Sequence, residues 1–130
     1  MKEIYEFLKT ANTYFLATID NNKPRVRPFG TIDLFDGKLT IQTGLKKDVA
    51  RQMIENPWIE ICAMVEGRWI RISAKVKLDE RLEAAQHMLD NYPDLKSMYA
   101  PGDGNTAVFA LMEGTATISS FTEAPKTITF

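Results

Sequence analysis

The sequence predicts a mostly β fold with helices, an α+β antiparallel barrel of six or seven short strands, closed or split, with helices plugging its ends. Three observations predict it. Runs rich in aromatic and β-branched residues recur along the chain. Several of these runs meet at turn signals such as Asp36-Gly37, Glu66-Gly67 and Glu113-Gly114. Only two or three stretches carry apolar residues at helical spacing, so the helices are accessories to a sheet.

The elements follow in order. Ile4, Phe7, Leu8 and Ala11 recur at helical spacing and make the opening segment an amphipathic helix laid over the sheet. Tyr14 to Ile19 is a first strand, closed by the turn Asp20-Asn21-Asn22. A second strand is expected from Arg25 to about Leu34, returning through Asp36-Gly37 into Lys38–Thr43. Val49, Ala50, Met53 and Ile54 mark a short helix that Asn56-Pro57 ends, because proline disfavours the helical conformation in the residue before it. Trp58 to Val65 reads as a buried strand. In the next strand Trp69, Arg71, Ser73, Lys75 and Lys77 alternate with Ile70, Ile72, Ala74, Val76 and Leu78. Leu82, Ala85, Met88 and Leu89 form a helix stopped by Pro93, with a further helical stretch reaching toward Tyr99 and a Pro/Gly loop from Ala100 to Asn105. Ala107–Met112, a Glu113-Gly114 turn and Thr115–Phe121 complete the chain as an antiparallel pair.

Bulk properties narrow the function. At 130 residues and 14.7 kDa the chain matches one domain, spanning 1–130, and its 45% hydrophobic content is that of a globular protein. A net charge of -1 and a pI near 5.8 give no field that draws the whole molecule to nucleic acid or an anionic membrane, so neither is expected as a partner. Cys62 is the only cysteine, which excludes an intramolecular disulfide. With no apolar run long enough for a signal sequence or a spanning helix, a cytoplasmic location is expected.

The residues that can carry chemistry are cationic. Arg25 and Arg27 stand two apart on one strand and share a face. Through the Asp36-Gly37 hairpin, the strand ending in Gln42, Thr43 and Gly44 is expected beside them, with Lys46 and Lys47 following. Thr43-Gly44 lies where a strand gives way to a helix, so backbone N–H groups, a hydroxyl and two lysines meet there. Arginine grips a phosphate dianion with parallel hydrogen bonds, and lysine adds a mobile charge. Taken singly, each of these residues reads as solvated surface, and composition and spacing stop at a candidate phosphate seat. His87, the only histidine, lies on the Leu82–Tyr92 helix with no second imidazole or cysteine to build a metal site, and is expected at the surface or half-buried. Cys62 is expected as an inert core thiol.

Pro24-x-x-Arg27-Pro28, Thr43 after the next hairpin, the Lys46-Lys47 pair, Asn56-Pro57 and Trp69-Ile-Arg71 together resemble the pyridoxamine 5′-phosphate oxidase-like FMN-binding split-barrel family, in its small nitroimidazole-resistance and general-stress forms. The resemblance spans nearly the whole chain. It implies that Arg27, Thr43, Lys46 and Lys47 hold the phosphate of FMN. It further implies that Pro28, Phe29 and Gln42 flank the ribityl chain and ring, and that Trp69 falls near a ring-contacting position. Taken alone, Trp69 is an aromatic packing against core or interface, and Arg71 is satisfied by a cross-strand partner such as Glu60.

The same resemblance implies a homodimer with each flavin site built from two subunits. The activity it implies is FMN-dependent oxidoreduction, with hydride or electrons passing from NADH or NADPH to a small-molecule substrate. Pyridoxamine 5′-phosphate oxidation itself is not expected, because Lys126-Thr-Ile-Thr-Phe130 lacks the arginine and histidine that grip that substrate in such oxidases. The alternatives are a flavin-binding carrier or redox sensor without turnover, and a barrel holding heme or a deazaflavin.

Overall fold

The computed structural model describes residues 1–130. Its elements are α1 (Lys2–Ala11), β1 (Tyr14–Asp20), β2 (Lys23–Phe29), β3 (Asp33–Phe35), β4 (Lys38–Gly44), α2 (Asp48–Glu55), β5 (Trp58–Val65), β6 (Arg68–Asp79), α3 (Leu82–Asn91), a 3-10 turn (Pro93–Ser97), β7 (Thr106–Ser120) and β8 (Lys126–Thr129). The strands form one antiparallel sheet in the order β2-β1-β5-β6-β7-β4-β3, with β8 added to β7. This is the split-barrel, α+β class that the strand pattern predicts.

Alternation builds the interior. Leu16, Ile61, Ile70 and Ile72 are fully buried on one face of the sheet, and Leu39, Ile41 and Phe109 join them with 1% exposure or less. Each such side chain contributes about 1.5–3 kcal/mol by leaving water. Ile4, Phe7 and Leu8 of α1 and Val49, Ala50 and Met53 of α2 are packed into the same core, so both helices close the barrel as their spacing requires. Ala84, Ala85 and Met88 of α3 cover Val108 on the outer side of β7 and make a smaller second core.

The details correct the sequence reading in four places. The expected second strand from Arg25 to Leu34 is two strands, because the chain leaves the ladder after Phe29 and only Asp33–Phe35 returns to pair with β4. The Asp36-Gly37 turn, with Asp36 at φ 53° and Gly37 at φ 72°, therefore joins β4 to β3 and not to the arginine-bearing β2. Glu113-Gly114 is not a turn: β7 runs unbroken from Thr106 to Ser120, and this is where it exchanges β4 for β8 as its second neighbour. A Cβ on Gly114 would stand 2.6 Å from the Ser73 carbonyl oxygen, so glycine is there for close approach and not for bending. Finally, Cys62 is exposed, because it faces outward between the buried Ile61 and Ala63. With the split second strand and β8 counted, the sheet has eight strands where six or seven are expected.

Candidate functional site

The barrel is open along one seam. β2 pairs only with β1, and β4 pairs with β3 and β7, so no ladder joins β2 to β4. Thr31, just past β2, spans the gap: its Oγ1 accepts from the Gln42 N–H at 3.0 Å and donates to the Gln42 carbonyl at 3.4 Å. The buried Tyr14 hydroxyl donates to the Thr31 carbonyl and fixes this linker from below, and burial holds the Tyr14 phenol well above its ordinary pKa, so it stays a donor.

Along the seam lies a cleft of about 220 Å³. Pro28, Phe29 and Thr31 form one wall, Gln42 and Thr43 form the floor with Lys47 at the start of α2, and Leu95, Met98 and Tyr99 form the opposite wall. Two other concavities differ in character. One of about 270 Å³ lies at Lys38, Lys77 and Arg81, but Arg81 is engaged by Asp79 at 2.7 Å and Asp36 at 3.1 Å. Another, of about 530 Å³, lies beside His87.

The cations at the seam have no carboxylate partners. Neither Lys46 nor Lys47 enters an ion pair, whereas Arg25 is held by Asp20 at 3.3 Å and Arg51 by Asp20 and Glu55. Arg27 is anchored by neutral acceptors alone: it donates to Thr18 Oγ1 and Gln52 Oε1, each at 2.7 Å, and to the Leu16 carbonyl at 3.3 Å. Burial, and then the Arg25 charge, lower the Arg27 pKa from its ordinary value while Asp48 opposes them. It remains a cation, oriented by α2 and β1 and left without a counter-charge.

Gln42 is the other unsettled group. Its side chain is 6% exposed, and its Oε1 is buried with no hydrogen-bond partner. A buried acceptor left unpaired costs roughly 1–3 kcal/mol; of the two such atoms, Gln42 Oε1 and Thr40 Oγ1, only the first belongs to a residue lining the cleft.

Five of the eight sequence-predicted site residues, Pro28, Phe29, Gln42, Thr43 and Lys47, line this one cleft. Lys46 is adjacent, with its backbone N–H bound to Asn105 Oδ1 at 3.1 Å. Arg27 projects from the opposite face of β2 to Pro28, between β1 and α2. Trp69 is not at the cleft of its own chain: it sits on the outer face of β6 opposite Met64, with its ring 5.1 Å from that of Phe121. Arg71 pairs with Glu60 at 2.8 Å, as the cross-strand reading expects. The sequence reading missed Thr31 and the wall of Leu95, Met98 and Tyr99. A helical stretch is expected from Pro93 toward Tyr99, but nothing local shows that it lies across the cleft from Pro28 and Phe29.

Fold and cleft together define a split β-barrel whose seam carries unpaired cations and an unsatisfied amide. The chain belongs to the pyridoxamine 5′-phosphate oxidase family, whose model matches residues 1–112. A NimC/NimA family protein from Clostridium acetobutylicum is 40% identical, with a TM-score of 0.97 over 100% of this chain and 92% of that one. A pyridoxamine 5′-phosphate oxidase-related, FMN-binding protein from Nostoc punctiforme is 15% identical, with a TM-score of 0.66 over 99% and 95%. A heme-binding protein from Mycobacterium smegmatis is also 15% identical, with a TM-score of 0.75 over 96% and 57%. The last two share the fold. No curated protein matches the chain.

Proposed function

We propose that the seam cleft binds FMN and that the protein is an FMN-dependent oxidoreductase, passing hydride or electrons between a nicotinamide donor and a small molecule. The observation that carries this reading is that Lys47, a cation without a carboxylate partner, and a buried, unpartnered Gln42 oxygen lie at one opening in the barrel. A phosphomonoester with a hydroxyl-bearing chain offers the anion to the first and a donor to the second. Lys46, Lys47, Arg27 and Thr43 would hold the phosphate, and Pro28, Phe29 and Gln42 would flank the chain and ring. FMN supplies the redox chemistry, and the protein supplies orientation, charge and exclusion of water.

A second copy of the chain fits this reading. Phe15 and Met64 are 50% and 66% exposed on the outer face of β1 and β5, and Phe15 pairs with Cys62 on one side and with Pro28 of the cleft on the other. Val26, 69% exposed on β2, and Trp69 extend the same face. An apolar sheet face that runs into a cleft wall marks an interface that would complete the cleft, with Trp69 delivered by the partner. Phe15→Glu should then convert a dimer to a monomer in light scattering and lower flavin retention with it.

One observation favours a second reading. No carboxylate or imidazole lines the cleft, so a flavin carrier without turnover uses the same residues. The deciding experiment is an absorption spectrum of the purified protein, taken after FMN addition and desalting, followed by reductase assays with NADH and NADPH. Retained flavin near one per subunit supports the site, and turnover separates enzyme from carrier. A protein that retains no flavin, or that shows a heme spectrum instead, overturns the reading.

A further inference from the structure

We propose that Asp33 and His87 form a clasp that positions the 3-10 wall of the cleft, so that this contact tunes how the cleft holds its ligand; the ligand half of this inference rests on the flavin reading above. Asp33 is 2% exposed. Its carboxylate accepts from the Leu34 N–H at 2.8 Å and from Asn91 Nδ2 at 3.0 Å, and its other oxygen meets His87 Nδ1 at 2.6 Å. His87 and Asn91 are four apart on α3 and therefore share a face. The next residue, Tyr92, uses its hydroxyl twice on Ile32, accepting from the N–H at 3.0 Å and donating to the carbonyl at 3.1 Å. The last turn of α3 is thus tied by side chains to residues 32 and 33.

Both ends of this tie lead to the cleft. Going back along the chain from Ile32, the next residue is Thr31, which spans the seam. Going forward from Tyr92, the next element is the 3-10 turn that carries Leu95, followed by Met98 and Tyr99. No residue of that turn is buried, so little core packing holds it in place. The spacing of the two walls is therefore set where α3 grips β3.

The clasp is buried on one side and wet on the other. The His87 side chain is 53% exposed, beside the depression of about 530 Å³, while its Nδ1 faces the buried Asp33. The groups around it are few. From β3 come Asp33 and the Phe35 ring at 5.3 Å, with Arg81 lying 5.1 Å from that ring. From α3 itself comes Asp90, whose carboxyl is held low by Lys96, Gln86 and His87. From α1 comes the Tyr5 hydroxyl, 3.4 Å from Asn91. The His87 contact adds to the Asn91 bond on the same carboxylate, so its loss should loosen the grip of α3 on β3 and lower cleft affinity.

The test uses the whole protein with His87→Ala, which removes the clasp, and His87→Asn, whose amide N–H lies close to the position of Nδ1. In the ligand-free protein, exchange of the amides of residues 94–99 should speed by about tenfold in His87→Ala, the value of one charge-assisted hydrogen bond, and return most of the way in His87→Asn. FMN affinity should follow the same order. Unchanged exchange in His87→Ala overturns the clasp. Faster exchange with identical FMN affinity in all three proteins overturns its link to the cleft. If the wild type binds no FMN, the exchange experiment still decides the clasp, and only the flavin reading falls.

Discussion

The β6–β7 spine and the β2–β4 seam are built on opposite terms. Along the spine, β6 is paired with β7 from Arg68–Ser120 to Asp79–Val108, with one register shift at Lys75/Val76. Ile70, Ile72, Ala74 and Ala116 are fully buried there, and Arg71, Lys75 and Arg81 all have carboxylate partners. Along the seam, one threonine hydroxyl replaces a ladder, an amide oxygen is orphaned, and Arg27, Lys46 and Lys47 have no counter-ions. The contrast teaches where each kind of free energy is kept. The spine keeps its free energy in a long ladder and a buried apolar face, and stabilises the fold. The seam leaves groups unsatisfied, and the proposed ligand would complete them.

The contrast breaks if injuring the spine injures binding in proportion. Ile72→Ala should cost about 2–5 kcal/mol of stability in urea unfolding, the range for truncating a fully buried isoleucine, while the folded fraction keeps its FMN affinity. Gly114→Ala should cost about 1–3 kcal/mol by overpacking, since its Cβ meets backbone that cannot swing away. The reverse holds at the seam. Arg27→Gln and Lys47→Gln should each weaken FMN binding by about one to two decades, read by fluorescence titration, and leave riboflavin binding nearly unchanged because only FMN carries the phosphate. Equal losses for both ligands would place the phosphate elsewhere.

Gln42→Met sharpens the comparison, because it should move stability and binding in opposite directions. Removing an unpartnered buried acceptor should raise unfolding free energy by about 1 kcal/mol, while FMN affinity falls. The smallest effect belongs to an ion pair beside the spine. Asp79 has its pKa lowered chiefly by the side-chain hydrogen bond from Arg81. A carboxyl depressed in the folded state contributes stability above its unfolded pKa and loses it as pH falls through the lower folded value. Thermal melts of Arg81→Gln should therefore show a shallower acid loss than the wild type, with little change at neutral pH.

Much of the spine could be read in the sequence, and much of the seam could not. Strict alternation from Trp69 to Leu78 specifies a half-buried strand, because side-chain direction in a strand is a local property. The Asp36-Gly37 turn was equally legible, but not the strand before it: Pro28 and Gly30 flank the departure after Phe29, yet neither alone distinguishes a strand end from an edge strand that continues. Glu113-Gly114 misled for the converse reason: glycine there answers to Ser73 and Ala74 from another strand, a requirement no local pattern carries. Cys62 looked like core because Ile61 and Ala63 beside it are core, although alternation turns it outward. In the site, residues near each other in sequence were found together, as Gln42, Thr43 and Lys47 were. The wall from Leu95 to Tyr99 and the Asp33–His87 bond, separated by 54 residues, depend on tertiary packing alone.

Thr31 gives the seam a history as well as a geometry. A barrel closed by a full ladder can change the size of its interior only by surrendering several backbone hydrogen bonds at once, a step that selection rarely tolerates. Here the two sides are joined through one hydroxyl, so the gap can widen or narrow at the expense of the two neutral hydrogen bonds that one side chain makes. Successive substitutions at the edges of such a gap can refit it to differently shaped occupants while the spine goes on folding the chain. The lone hydroxyl is thus a point of evolvability, placed where variation endangers the fold least.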